Sequence, residues 1–119
     1  MADGDKSKLV VLGTGGTIAG TAAHAGDNIG YTAAQLGVQQ LLAAVAGLPA
    51  VLRGRELVSE QLAQVDSKDM SFAVWRTLAL RCAQWLADAT VQGIVITHGT
   101  DTLEETAWFL QSLLNPGKP

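Results

Sequence analysis

Two short stretches of this 119-residue chain gather residue types that could do chemistry. The first, Gly13-Thr14-Gly15-Gly16-Thr17-Ile18-Ala19-Gly20, follows the apolar run Leu9–Leu12. Glycines after a buried strand let backbone N–H groups approach a ligand closely. Gly13, Gly15 and Gly20 loosely echo a phosphate or dinucleotide fingerprint, but Ile18 stands at its third glycine position and no helix opens where the fingerprint needs one. The second stretch is Thr97-His98-Gly99-Thr100-Asp101-Thr102, with three hydroxyls, an imidazole and a carboxylate between a strand and a helix. Free N–H groups at a helix start favour negative charge, which suits an oxyanion or a carboxylate ligand. Taken singly, Asp101 and Thr102 are better explained as helix caps, because Asp101 with Glu104 and Thr102 with Glu105 have capping-box spacing.

The elements that must hold these stretches follow from hydrophobic pattern. Leu9–Leu12 and Gly93–Thr97 are continuous apolar runs, as expected of strands buried on both faces of a parallel sheet. A short strand is expected near Glu56–Ser59, with Arg53 and Arg55 on a solvated strand face. Gly13–Tyr31 has glycines and no apolar period and reads as a long loop. Leu41, Leu42 and Val45 predict a helix over 39–46, ended by Gly47 and Pro49. Trp75, Leu78, Cys82, Trp85 and Leu86 recur at helical steps across 69–89, with Asp69 as N-cap. Leu103, Ala107, Leu110 and Leu114 form the inner stripe of a last helix, stopped by Asn115-Pro116-Gly117. Strands alternating with helices predict one α/β domain with a parallel sheet and right-handed crossovers. Ligands bind such sheets at the carboxyl ends of the strands, where both stretches fall.

Composition excludes several classes. The apolar fraction is 48% and the charged fraction 16%, with eight basic and eleven acidic residues giving a net charge of −3. That leaves no basic footprint for nucleic acid and no charge bias toward a membrane surface. A single cysteine, Cys82, excludes an internal disulfide, and its place on the inner helix face makes it a buried structural thiol. His98 has no second His or Cys at ligand spacing, so no metal site is expected, and it is read as shaping its loop. His24 is expected in solvent, and Trp108 in the core or at an interface. The polar start and the short run after it predict no signal peptide in the chain as given, hence a cytoplasmic protein, with a periplasmic one as the alternative if a signal peptide was removed.

Together, the two stretches resemble a known family. Thr14-Gly15-Gly16-Thr17-Ile18-Ala19-Gly20 and Ile96-Thr97-His98-Gly99-Thr100-Asp101-Thr102-Leu103-Glu104-Glu105-Thr106-Ala107 are similar to the two signature motifs of bacterial-type L-asparaginases, including the glutaminase-asparaginases. Tyr31-Thr32 and Ser67-Lys68-Asp69-Met70 fall where the family has comparable short motifs. The resemblance implies a three-layer, Rossmann- or flavodoxin-like N-terminal domain. It also implies hydrolysis of the side-chain amide of L-asparagine, with L-glutamine as a second substrate, and no cofactor.

The same resemblance makes Thr17 the nucleophile on a mobile lid, Tyr31 its activator and Thr100 the second essential threonine. Ser67 and Asp101 match substrate-binding positions. These roles suit the chemistry: a threonine hydroxyl needs a polarising partner, an ammonium wants a carboxylate, and a developing oxyanion wants aimed N–H donors. One departure is Lys68, where the periplasmic branch usually has Gln. A cation there could help hold the substrate carboxylate or change selectivity. The lysine that partners the second threonine, and an acidic residue of a smaller C-terminal domain, lie later in family chains. Residues 1–119 are therefore read as an incomplete N-terminal domain, with an uncovered sheet edge and a tendency to form homo-oligomers. An amidotransferase subunit sharing the signature threonines is a lesser alternative, and it would need an extra N-terminal domain and a partner chain. The rival of a different class is a non-catalytic amino-acid-binding or oligomerising module.

Overall fold

A computed structural model describes residues 6–16 and 37–119. Three strands, β1 (Lys8–Gly15), β2 (Glu56–Val65) and β3 (Val91–Thr97), form one sheet in the order β2-β1-β3, and both pairings are parallel. Leu12 lies between Glu60 of β2 and Ile96 of β3, which fixes the register at the carboxyl end. The helices are α1 (Val38–Ala43), α2 (Leu48–Leu52), α3 (Phe72–Ala87) and α4 (Leu103–Leu114), with a 3-10 turn at Ser67–Asp69.

Side chains alternate across the central strand, so one strand feeds two layers. Val10 and Leu12 point into a core shared with Leu78, Ala79 and Cys82 of α3 and Leu110 of α4. On the opposite face Val38 of α1 lies against Gly13, the residue after Leu12. Helices on both faces of a parallel sheet make the expected three-layer α/β arrangement. Because β1 is central, its crossover to β2 and the crossover from β2 to β3 run in opposite directions. Right-handed connections then place α1 and α3 on opposite faces.

Several local expectations are corrected. β1 continues through Gly15, so Gly13 and Gly15 belong to the strand and not to the loop after it. β2 spans ten residues instead of four. Its middle carries the polar pair Glu60-Gln61, and both side chains find partners. Glu60 accepts from Arg81 Nε (3.0 Å) and Trp85 Nε1 (2.8 Å), and Gln61 Oε1 accepts the Val38 N–H at 2.6 Å. Pro49 does not end a helix. It sits in the first turn of α2, where no N–H is required. Arg53 and Arg55 lie in the turn after α2, and Arg55 donates to the carbonyls of Leu52 and Val51, closing the helix end.

Ser71, not Asp69, caps α3, accepting the Val74 N–H at 3.3 Å. Val45, Leu103 and Ala107 are exposed, so the inner faces of α1 and α4 rest instead on Val38 and on Thr106 with Leu110. Trp108 is 74% exposed and is not core. Trp75 and Trp85 are half-buried. Along β3, the Ile94 N–H donates to the Pro119 carbonyl at 3.0 Å, so that edge already carries Pro119 beside Gly93. Among the described residues no helix is long and apolar enough to cross a membrane.

Two consequences are measurable. Leu78 is fully buried at the centre of the α3 layer. Leu78→Ala should lower unfolding stability by about 2–5 kcal/mol in urea titrations, through lost transfer energy and the cavity left behind. A loss of a few tenths would mean that the layer is not packed as described. The second consequence concerns Glu60. Burial raises its pKa, but the bonds from Arg81 and Trp85 and the guanidinium charge outweigh this and hold the carboxyl below its usual 4.5. A depressed carboxylate contributes stability above the unfolded-state pKa and loses it as pH falls through the folded one. Glu60→Gln should therefore be less stable at neutral pH, with the gap to the parent closing on acidification below about 4.5. A constant gap between pH 7 and pH 3 contradicts this.

Candidate active site

The site region is built where three strands end. Thr14, near the end of β1, is buried, and its hydroxyl donates to the Thr97 carbonyl at 2.6 Å, tying β1 to β3. Next, the Gly16 N–H donates to the Val65 carbonyl of β2 at 2.9 Å. The three exits are thereby drawn to one point.

At that point there is no space for side chains. Gly16 has φ +92°, and a Cβ on it would meet the Gly99 amide nitrogen and come within 2.5 Å of the Gly99 Cα. A Cβ on Gly99 would lie 2.6 Å from Ser67 Oγ and 2.8 Å from Ser67 Cβ. Glycine is required at both positions, by sterics at Gly99 and by sterics and backbone geometry at Gly16. The glycines first read as a ligand cradle therefore also act as the joint between the two loops.

Ser67 links the third exit. It is 2% exposed, its Oγ accepts the Asp101 N–H at 2.9 Å, and its carbonyl accepts the Thr102 hydroxyl at 2.9 Å. The Ser67 hydroxyl keeps its own proton for donation. This corrects the capping reading of Thr102: it stands at the N-cap of α4, but its hydroxyl is spent on Ser67 and makes no cap bond. Asp66 holds the 3-10 turn by accepting the Lys68 N–H at 3.2 Å, and Lys68 is exposed. Thr100 and Asp101 are exposed beside the buried Ser67 and Gly99.

Of the sequence-predicted site residues, the structure thus brings Ser67, Thr100 and Asp101 together at the carboxyl end of the sheet. Thr17, Tyr31, His24 and most of the expected lid lie outside the described residues. Among the described residues, Thr97 Oγ1 is buried without a hydrogen-bond partner. No group of three His, Cys, Asp or Glu residues stands at metal-ligand spacing among them. Cys82 is buried, and burial pushes its thiol up to about 11, so it is a poor nucleophile at neutral pH.

His98 shapes its loop, as its sequence context suggests. Its Nδ1 donates to the Gly99 carbonyl at 2.6 Å, while Nε2 lies 2.8 Å from Thr106 Oγ1. Thr106 and Trp75 escape a sequence reading as polar participants. The Trp75 indole donates to Thr106 Oγ1 at 2.8 Å, and its ring stacks on Phe109 at 4.7 Å. Their only signal is a hydroxyl and an indole on inner helix faces.

Comparison with known proteins agrees with this geometry. The family model for the asparaginase N-terminal region matches residues 8–119. The glutaminase-asparaginase of Pseudomonas fluorescens biotype A is 42% identical over 113 residues, covering 95% of this chain and 30% of that protein. L-asparaginase 2 of Escherichia coli (strain K12) is 41% identical over 111 residues, 93% of this chain and 30% of that one. Among solved structures, the probable cytoplasmic L-asparaginase from Campylobacter jejuni superposes with a TM-score of 0.77 at 41% identity. It matches 88% of this chain and 31% of its own. The chain therefore spans about a third of the length of these relatives.

The close approach at Gly99 has a direct test. Gly99→Ala should displace Ser67, weaken its bond from Asp101 and lower stability by about 1–3 kcal/mol. Faster hydrogen exchange at the Asp101 amide should accompany the loss. An unchanged Asp101 amide in a stable variant would show that the loops are not clamped in this way. Three strand ends joined at Gly16, Ser67 and Gly99, together with a family match over residues 8–119, establish that this chain belongs to the asparaginase family, in its N-terminal region.

Proposed function

We propose that this chain supplies the nucleophile loop and the amino-acid-binding loop of an L-asparaginase-type amidohydrolase. The observation carrying the proposal is the Ser67–Asp101 bond, which sets a serine hydroxyl beside an exposed acidic and threonine-bearing turn at the carboxyl end of the sheet. A free amino acid needs both kinds of partner. Asp101 offers a carboxylate to its ammonium, and the hydroxyl proton of Ser67 is available to its carboxylate.

In this reading the Thr17 hydroxyl attacks the side-chain carbonyl carbon of L-asparagine, its proton passing to an acceptor assisted by Tyr31. The C–N bond then breaks, the nitrogen takes up a proton, and ammonia leaves. Water hydrolyses the resulting ester to give L-aspartate and the free threonine. Thr100 polarises an attacking group, and N–H donors of its turn face the developing oxyanion. L-glutamine is the second substrate, and no cofactor enters. Exposed Phe72, Trp108 and Leu113 support self-association into a homo-oligomer. A cytoplasmic location, as in the name of the Campylobacter jejuni relative, belongs to the same proposal.

The resemblance implies that the lysine that activates the second threonine, and an acidic residue of a smaller C-terminal domain, lie later than the region matched here. Residues that act as a unit lose most of their effect when one is missing. The purified 119-residue chain should therefore release ammonia from L-asparagine roughly a thousandfold or more slowly than a longer relative. Thr17→Ala should abolish the residue of activity. Full turnover by the parent chain would remove the need for that lysine, and turnover indifferent to Thr17→Ala would overturn the role given to Thr17. L-Aspartate binding by calorimetry without any ammonia release would favour the rival reading, a non-catalytic amino-acid-binding module.

A further inference from the structure

Trp75 of α3, Thr106 of α4 and His98 of the β3–α4 loop form a chain of hydrogen bonds whose direction can be read from donor chemistry alone. An indole N–H only donates, so Thr106 Oγ1 accepts from Trp75 at 2.8 Å. At the other end a carbonyl only accepts, so the contact of 2.6 Å between His98 Nδ1 and the Gly99 oxygen requires the proton to be on Nδ1. In the neutral ring Nε2 is then a bare acceptor, and it lies 2.8 Å from the Thr106 hydroxyl, which has its own proton left to give. The order is indole N–H to hydroxyl oxygen, hydroxyl proton to Nε2, and Nδ1–H to the Gly99 carbonyl. Every member is satisfied in one direction only.

The surroundings hold the chain rigid. Thr106 is 3% exposed, and the Trp75 ring is stacked on Phe109 with an interplanar angle of 18°. The other end governs a peptide that matters. With the Gly99 carbonyl turned toward the imidazole, the planar trans peptide directs the N–H of Thr100 the opposite way, away from the relay. Gly99 itself is wedged between Gly16 and Ser67 and cannot turn independently.

We propose that His98 is a positioning residue for Thr100: held as its Nδ1–H tautomer by Thr106, it locks the Gly99–Thr100 peptide and so sets the direction in which Thr100 is presented. The functional meaning rests on the reading of Thr100 as a site residue, whereas the relay itself does not. Tautomer selection through the second ring nitrogen is a general property of hydrogen-bonded histidine.

The test is long-range proton–nitrogen NMR of the histidine rings in the labelled 119-residue chain, with His24→Gln to assign them. The parent should show Nδ1 of His98 protonated and Nε2 bare. Thr106→Val should reduce that preference about tenfold, the effect of one net hydrogen bond, and displace the Thr100 amide resonance. Thr106→Ser, which keeps the hydroxyl, should preserve both signals. Should Thr106→Val fail to fold, a second pair decides. His98→Asn can still donate to the Gly99 carbonyl and should leave the Thr100 amide near its parent position, while His98→Leu should move it. An Nε2–H ring in the parent, or a Thr100 amide indifferent to both pairs, overturns the proposal. Neither readout needs turnover. An inactive chain with the expected tautomer counts against the proposed activity alone, and an active chain with the other tautomer counts against the relay alone.

Discussion

The Asp101 N–H held by the buried Ser67 hydroxyl is the interaction on which the site region depends. It joins the end of β2 to the start of α4 across 34 residues of sequence. It forms only because Gly99 has no side chain to push Ser67 aside, and Gly99 comes that close only because Gly16 also lacks one. Three backbone exits that would normally be kept apart by side chains are thus in van der Waals contact. A buried polar bond replaces the space that a Cβ would take, and leaving its partner unmade would cost more than the bond itself contributes.

From that joint outward, the fold has a division of labour. The apolar half of each strand builds the core, with Val10, Leu12 and Val91 buried against α3 and α4. Past Leu12 and Ile96 the ends of β1 and β3 turn to hydroxyls and glycine, Gly13-Thr14-Gly15 and Thr97, which lie outside that cluster. Among the described residues, Thr14, Ser67 and Thr106 are the buried polar ones, and each has a hydrogen-bond partner on another element. Polar groups so buried are stable only when satisfied, and when satisfied they fix one arrangement. The satisfied groups at Thr14 and Ser67 hold the backbone that presents Thr100 and Asp101.

Much of this was legible in the sequence where one physical cause acts alone. Continuous apolar runs marked β1 and β3, but only β1 is covered on both faces as expected; β3 leaves Val95 59% exposed. The period of Leu78 and Cys82 marked α3 for the same reason of one-sided burial. Legibility failed where a distant partner decides. Glu60 and Gln61 look like the end of a strand until Arg81, Trp85 and Val38 are seen to satisfy them. Asp69 and Ser71 are both good caps, and only the 3-10 turn at Ser67–Asp69, which takes up Asp69, leaves the second to cap α3. Pro49 reads equally as a stop or a start, since proline follows helices and also opens them. At the site, the resemblance to the asparaginase motifs pointed to Ser67, Thr100 and Asp101 as members of one region. It could not show that Thr102 would turn its hydroxyl to Ser67, or that Trp75 would reach Thr106 across 31 residues.

The central claim is that the loops after β1, β2 and β3 form one amino-acid site at the carboxyl end of the sheet. Its most direct test is an amide NMR titration of the labelled chain with L-aspartate, a method that detects weak binding. The account predicts saturable shifts concentrated at Gly16, Ser67, Gly99, Thr100 and Asp101, with none at Asp88 or Thr90 at the opposite end of the strands. Shifts centred on the exposed aromatic face around Trp108, or no saturable shift at the three loops, would contradict it.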